Sequence, residues 1–138
     1  SLKRVDPLNT FLTKLGLIKH IDKRTIPGRG FPINDSVRST TFEIKRLQKI
    51  LPEGVPMIVL VAPARFELKN EDPGFKNLRL KMIKSLDEQG IKYVDVFDEF
   101  RSVGYEKIHF KHDGHWTRLG HKIAAESLAK ALEPSMSQ

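Results

Sequence analysis

Val55-Pro56-Met57-Ile58-Val59-Leu60-Val61 is a nearly unbroken apolar run, rich in β-branched side chains, entered through Pro52-Glu53-Gly54 and left through Ala62-Pro63-Ala64-Arg65. Such a run does not alternate polar and apolar positions, so both of its faces need cover. That is the pattern of a central strand in a parallel sheet, and it sets the expected fold class as α/β. Open α/β sheets bind ligands at the carboxyl ends of their strands. Arg65, just past that end, is therefore a candidate substrate-binding residue, with a plain surface arginine as the alternative.

Beyond this strand, Asp72-Pro73 joins an N-cap to a proline at the first helical position. Phe75, Leu78, Met82 and Leu86 then recur on one helical face until Gly90 stops it. Ile91 to Phe97 reads as a second strand, partly alternating and so less central. A β-α-β order calls for a right-handed crossover and a parallel pair. Before the first strand, Asp35 or Ser36 can cap a helix running to about Leu51, with Ile44, Leu47 and Leu51 on its buried face. Residues 17–35, broken by Pro27-Gly28, Gly30 and Pro32, read as irregular. Asp6-Pro7 opens a short amphipathic helix carrying Leu8, Phe11, Leu12 and Leu15.

The 138 residues, 39% of them hydrophobic, suit one domain with one modest core. No run approaches the roughly 18 to 20 apolar residues of a membrane span, and no signal-like apolar core opens the chain, so it is expected to be soluble as it stands. With no cysteine, neither disulfides nor thiolate chemistry is available. The net charge of +7 is uneven: residues 1–51 hold 11 Lys/Arg against 4 Asp/Glu, and residues 52–138 hold 13 against 13. A basic first third fits a solvated surface or a polyanion partner. Its aromatic residues, Phe11, Phe31 and Phe42, make no stacking platform, so nucleic acid is not the expected partner.

The residues that carry chemistry gather in Phe110-Lys111-His112-Asp113-Gly114-His115-Trp116-Thr117, followed by an amphipathic helix from Arg118 to Leu132 that is expected to bury Leu119, Ile123, Leu128 and Leu132. An acid two residues before a histidine lets carboxylate and imidazole converge in a tight turn. Asp113 would then hold one ring nitrogen of His115 and leave the other to take a proton from a hydroxyl, as the orienting half of a nucleophile-base-acid triad. The plain alternative is a polar loop whose Asp caps the next helix. His109, His112, Asp113, His115 and His121 also form a dense set of metal-ligand types, but their spacing matches neither a helical His-Glu-x-x-His site nor a metallo-β-lactamase-like one, and no metal is expected. Asp95, Asp98 and Glu99 read as a strand end and a solvated turn.

The run Asp113-Gly114-His115-Trp116-Thr117-x-x-Gly120-His121-x-x-Ala124-Ala125-x-x-Leu128-x-x-x-Leu132 resembles the closing block of the SGNH (GDSL-type) hydrolase superfamily. It most resembles the Asp-x-His-Trp branch, which includes alginate-acetyltransferase-like proteins; the broad superfamily more often has Asp-x-x-His. The resemblance covers roughly residues 36–132. It implies a partial three-layer αβα (flavodoxin-like) fold with a parallel sheet that lacks its first strands. On that reading residues 1–35 are a basic helix plus an irregular connection, and residues 36–138 are the carboxyl-terminal half of the domain.

The resemblance further implies serine-dependent ester hydrolysis or O-acyl transfer on a small-molecule or carbohydrate ester, without a cofactor. His115 would be the base, Asp113 its orienter, and Trp116 a residue packing behind the loop or flanking the acyl pocket. The family's Gly-Asp-Ser and Gly-x-Asn-Asp blocks are absent from their expected settings. Asn34-Asp35-Ser36 follows no apolar strand, and helix capping explains it more simply than a nucleophile or an oxyanion donor. The expectation is a nucleophile outside this chain, in a missing amino-terminal half, with an exposed strand edge prone to pair with another copy. Two other readings stay open: a non-catalytic interaction module binding a polyanion through the basic first third, and a small α/β protein sharing the acid-base string by chance.

Overall fold

The computed structural model describes residues 32–133. The readings made on residues 1–31, including the amphipathic helix after Asp6-Pro7, lie outside the described residues. The described chain runs α1 (Ile33–Ile50), β1 (Val59–Val61), α2 (Arg65–Asn70), α3 (Pro73–Glu88), β2 (Tyr93–Asp95), α4 (Phe97–Val103), α5 (Tyr105–Ile108) and α6 (Arg118–Leu132).

The two strands pair in parallel, Val59 with Tyr93, Leu60 with Val94 and Val61 with Asp95. Both are shorter than their apolar runs. Pro56 has no N–H to donate to a ladder, and the Val55 N–H closes a turn on the Pro52 carbonyl at 3.1 Å. At the second strand, the Ile91 N–H bonds back to the Leu86 carbonyl at 3.0 Å, and the Asp95 side chain accepts from the Phe97 N–H at 3.1 Å to start α4. What remains is covered on both faces, as an unalternating run requires. Val59, Val61 and Tyr93 pack with Leu86, Ile91, Ile44 and Met82 under α1 and α3. Leu60 and Val94 pack on the opposite side with Val96, Phe100, Ile108 and Ala124 from α4, α5 and α6. The result is a three-layer αβα arrangement.

α3 forms as its signals direct: Asp72 accepts from the Gly74 and Phe75 N–H groups, Pro73 leads, and Gly90 turns the chain away at φ +64°. The helix also buries Arg79, which the apolar stripe does not announce. Its guanidinium forks onto Glu67 of α2 at 2.9–3.1 Å, reaches Asp95 at the end of β2, and lies 4.0 Å from the centre of the Phe97 ring. Asp95 is thus a partner of a buried cation rather than a free strand end. Burial drives the Glu67 carboxyl above its usual range, although Arg79 pulls it the other way.

Two helical faces differ from expectation. α1 starts at Ile33, before Asp35 and Ser36, and has no side-chain cap; Asp35 instead pairs with Arg38 in water at 2.9 Å. It buries Ile33, Val37 and Thr41 at its first turns, where α3 lies, while Leu47 and Ile50 stay 55% and 76% exposed. On α6 the fully buried positions are Gly120 and Ala124; of the expected face, Ile123 packs on the core and Leu128 is partly buried, while Leu119 and Leu132 lie outside. α6 approaches closely at Gly120: a Cβ there would stand 3.0 Å from the Ile108 carbonyl oxygen and 3.0 Å from Trp116 Cβ. The connection expected over Asp98 to Lys111 contains α4 and α5.

Candidate active site

The loop from Phe110 to His115 is held at its stem by a small antiparallel bridge between His109 and Trp116. The Phe110 N–H donates to the His115 carbonyl at 3.1 Å, and the Thr117 N–H to the Ile108 carbonyl at 2.7 Å. Thr117 joins stem to helix. Its hydroxyl donates to the Lys107 carbonyl at 2.6 Å and accepts from the Gly120 N–H at 3.4 Å as the N-cap of α6. Trp116 is half-buried against the core, edge-on to Phe100 with ring centres 5.1 Å apart and to His121 at 5.4 Å.

Within this frame Asp113 and His115 meet. Asp113 Oδ1 accepts from the His115 backbone N–H at 2.9 Å and lies 3.1 Å from His115 Nδ1. The amide bond holds the Asp113 carboxyl below its usual range, and the charges of His115 and Arg65 act in the same direction. The pair is open to solvent, His115 being 85% exposed, and Nε2 makes no hydrogen bond to the described residues. An imidazole with one nitrogen beside a carboxylate and the other unengaged can accept a proton from a hydroxyl brought to it.

Arg65, the first residue of α2, reaches this turn from the carboxyl end of β1. A Cβ on Gly114 would stand 3.3 Å from Arg65 Cδ and 3.3 Å from Nη1, so the arginine lies along the glycine. Beyond the stem, His109 is 3% exposed and stacks on Tyr105 with ring centres 4.9 Å apart. Its Nδ1 has no partner among the described residues. Burial, with Arg65 adding to it, lowers the His109 pKa below its ordinary 6.5. Reading histidines as metal-ligand types missed this role; the apolar neighbours Ile108 and Phe110 were the only local signal.

Ser36 does not join this cluster. It lines a cavity of about 260 Å³ between α1 and α3, with Thr40, Ala62, Ala64, Phe75 and Met82 among its walls. Asn34 accepts from Lys81 at 2.6 Å. Among the described residues, no group of three or more His, Asp or Glu side chains is placed to hold a metal ion. A family model described as SGNH hydrolase-like domain, acetyltransferase AlgX, matches residues 34–138. No curated protein and no solved structure gives a match.

Proposed function

Because the chain belongs to the SGNH hydrolase-like family of acetyltransferase AlgX, we propose that it supplies the base and the orienting acid of a serine-dependent ester hydrolase or O-acyltransferase. The observation that carries this reading is the Asp113–His115 pair, 3.1 Å from Oδ1 to Nδ1, with Nε2 making no hydrogen bond among the described residues. The serine is supplied from outside this chain, and the sheet edges that are free among the described residues receive further strands of the same domain or a second copy.

In the proposed reaction His115 Nε2 takes the serine hydroxyl proton as the oxygen attacks the acyl carbonyl carbon. The departing alcohol oxygen then takes that proton from the imidazolium, leaving an acyl-serine. Water or a sugar hydroxyl attacks next, passing its proton to His115, and the serine oxygen leaves with that proton as the acyl group transfers. Asp113 keeps Nδ1 protonated and stabilises the imidazolium. The chemistry needs no cofactor.

The test is hydrolysis of a short-chain nitrophenyl ester by this chain alone. The rate should stay near that of free imidazole and should not change in Ser36→Ala. Robust turnover abolished by Ser36→Ala would place the nucleophile in α1 and overturn the proposal of an external serine.

A further inference from the structure

We propose that Arg65 is a positioning residue that clamps the Asp113-Gly114-His115 turn from the end of β1, its side chain lying closely against Gly114. The clamp rests on that turn being the site, but its geometry stands without reference to any reaction.

Gly114 is not a glycine required by its backbone. The positive-φ glycines of the described chain are Gly54, Gly90 and Gly104, and in all three a Cβ would meet nothing within 4 Å. Gly114 is the reverse case: its φ is outside that region, and the space beside it is taken by Arg65 Cδ and Nη1, with Cζ at 3.8 Å from the same Cβ position. A contact of 3.3 Å is tight, so a methyl group there obliges the arginine to shift by a few tenths of an ångström.

Arg65 is itself held. Its guanidinium carbon lies 4.5 Å from the centre of the Phe66 ring. Two residues on, Glu67 is pinned by Arg79, which ties α2 to α3 and to the end of β2. The base of the clamp is therefore fixed by a buried ionic contact, while its tip rests on an exposed turn whose own hydrogen bonds are local. No carboxylate among the described residues forms a salt bridge with Arg65; the Asp113 carboxyl is lowered mainly by the hydrogen bond from the His115 backbone N–H, and the Arg65 charge adds to it. The charged groups that act on Asp113 are Arg65 from α2 and His115 from the turn itself.

The account makes a non-additive prediction. Arg65→Met removes the clamp, and Gly114→Ala crowds it by a few tenths of an ångström; once the arginine is gone, the second change has nothing left to disturb. The readout is the pH titration of the His115 backbone amide resonance, which senses ionisation of the carboxylate bonded to it. Each single variant should raise the Asp113 midpoint, and the double variant should raise it no further than Arg65→Met alone. Arg65→Lys, which keeps the charge but not the planar face, should recover part of the shift.

Additive shifts, or an unchanged midpoint in Arg65→Met with an intact amide spectrum, would overturn the clamp. Because Arg65 is exposed, Arg65→Met is expected to fold; if it does not, Gly114→Ala against Arg65→Lys/Gly114→Ala gives the same comparison. Turnover surviving His115→Ala in the polypeptide that carries the serine would instead sink the base assignment and leave the clamp standing.

Discussion

His109 shows how one residue can matter without touching substrate. Its imidazole is buried beneath the loop, stacked on Tyr105, with Nδ1 unpartnered among the described residues. Its folded pKa lies below 6.5, so as pH falls through that value the unfolded chain takes the proton first. Stability contributed by the neutral ring is therefore present above pH 6.5 and is lost as pH drops towards the folded value. His109→Phe keeps a stackable ring and removes the titration. Its thermal midpoint should match or exceed wild type at pH 8 and should fall less on acidification from about pH 7 to 5.5; parallel midpoint curves for the two proteins would refute this role.

At the scale of elements, the site depends on how closely α6 seats behind the loop. Gly120→Ala places a methyl group 3.0 Å from both the Ile108 carbonyl oxygen and Trp116 Cβ, neither of which is a flexible side-chain end. Overpacking of this kind costs about 1–3 kcal/mol. Chemical denaturation should show that loss, accompanied by a change in Trp116 fluorescence; a neutral effect would mean that the stem yields easily. The elements themselves were legible where signals were local: the Val59–Val61 core of the apolar run, the Asp72-Pro73 cap and Gly90. α2 was not, because Ala64 provides no side-chain cap and six residues make too short a period. The Arg79 ion pairs with Glu67 and Asp95 join residues 12 and 16 apart across three elements, a relation that no helical or strand periodicity encodes. The Asp113–His115 pair was readable because two-residue spacing is a local property, whereas the Arg65–Gly114 contact joins distant parts of the chain and Arg65 was read only as lying at the right edge.

Taken whole, the described domain is a narrow sheet of two strands, each with a free edge, flanked by apolar side chains left in solvent. Leu47, Ile50, Leu51 and Val55 are 36–76% exposed along α1 and the approach to β1. A surface of this kind favours association. Sedimentation velocity of the chain should show concentration-dependent self-association, and Ile50→Glu should weaken it while changing stability by no more than about 0.5 kcal/mol, as exposed substitutions do. A wild-type protein that stays monomeric at high concentration would contradict a docking role for this flank.

The most direct measurement is kcat/KM for ester turnover by the polypeptide that carries the serine, compared between wild type, Asp113→Asn and His115→Ala, with thermal midpoints checked for each. The account predicts that His115→Ala falls nearly to background at an unchanged midpoint. Asp113→Asn should lose orders of magnitude as well, since the same change in serine proteases lowers kcat by about 10⁴. Activity that survives His115→Ala, or that a chelator removes from the wild-type protein, would contradict a serine mechanism with His115 as its base.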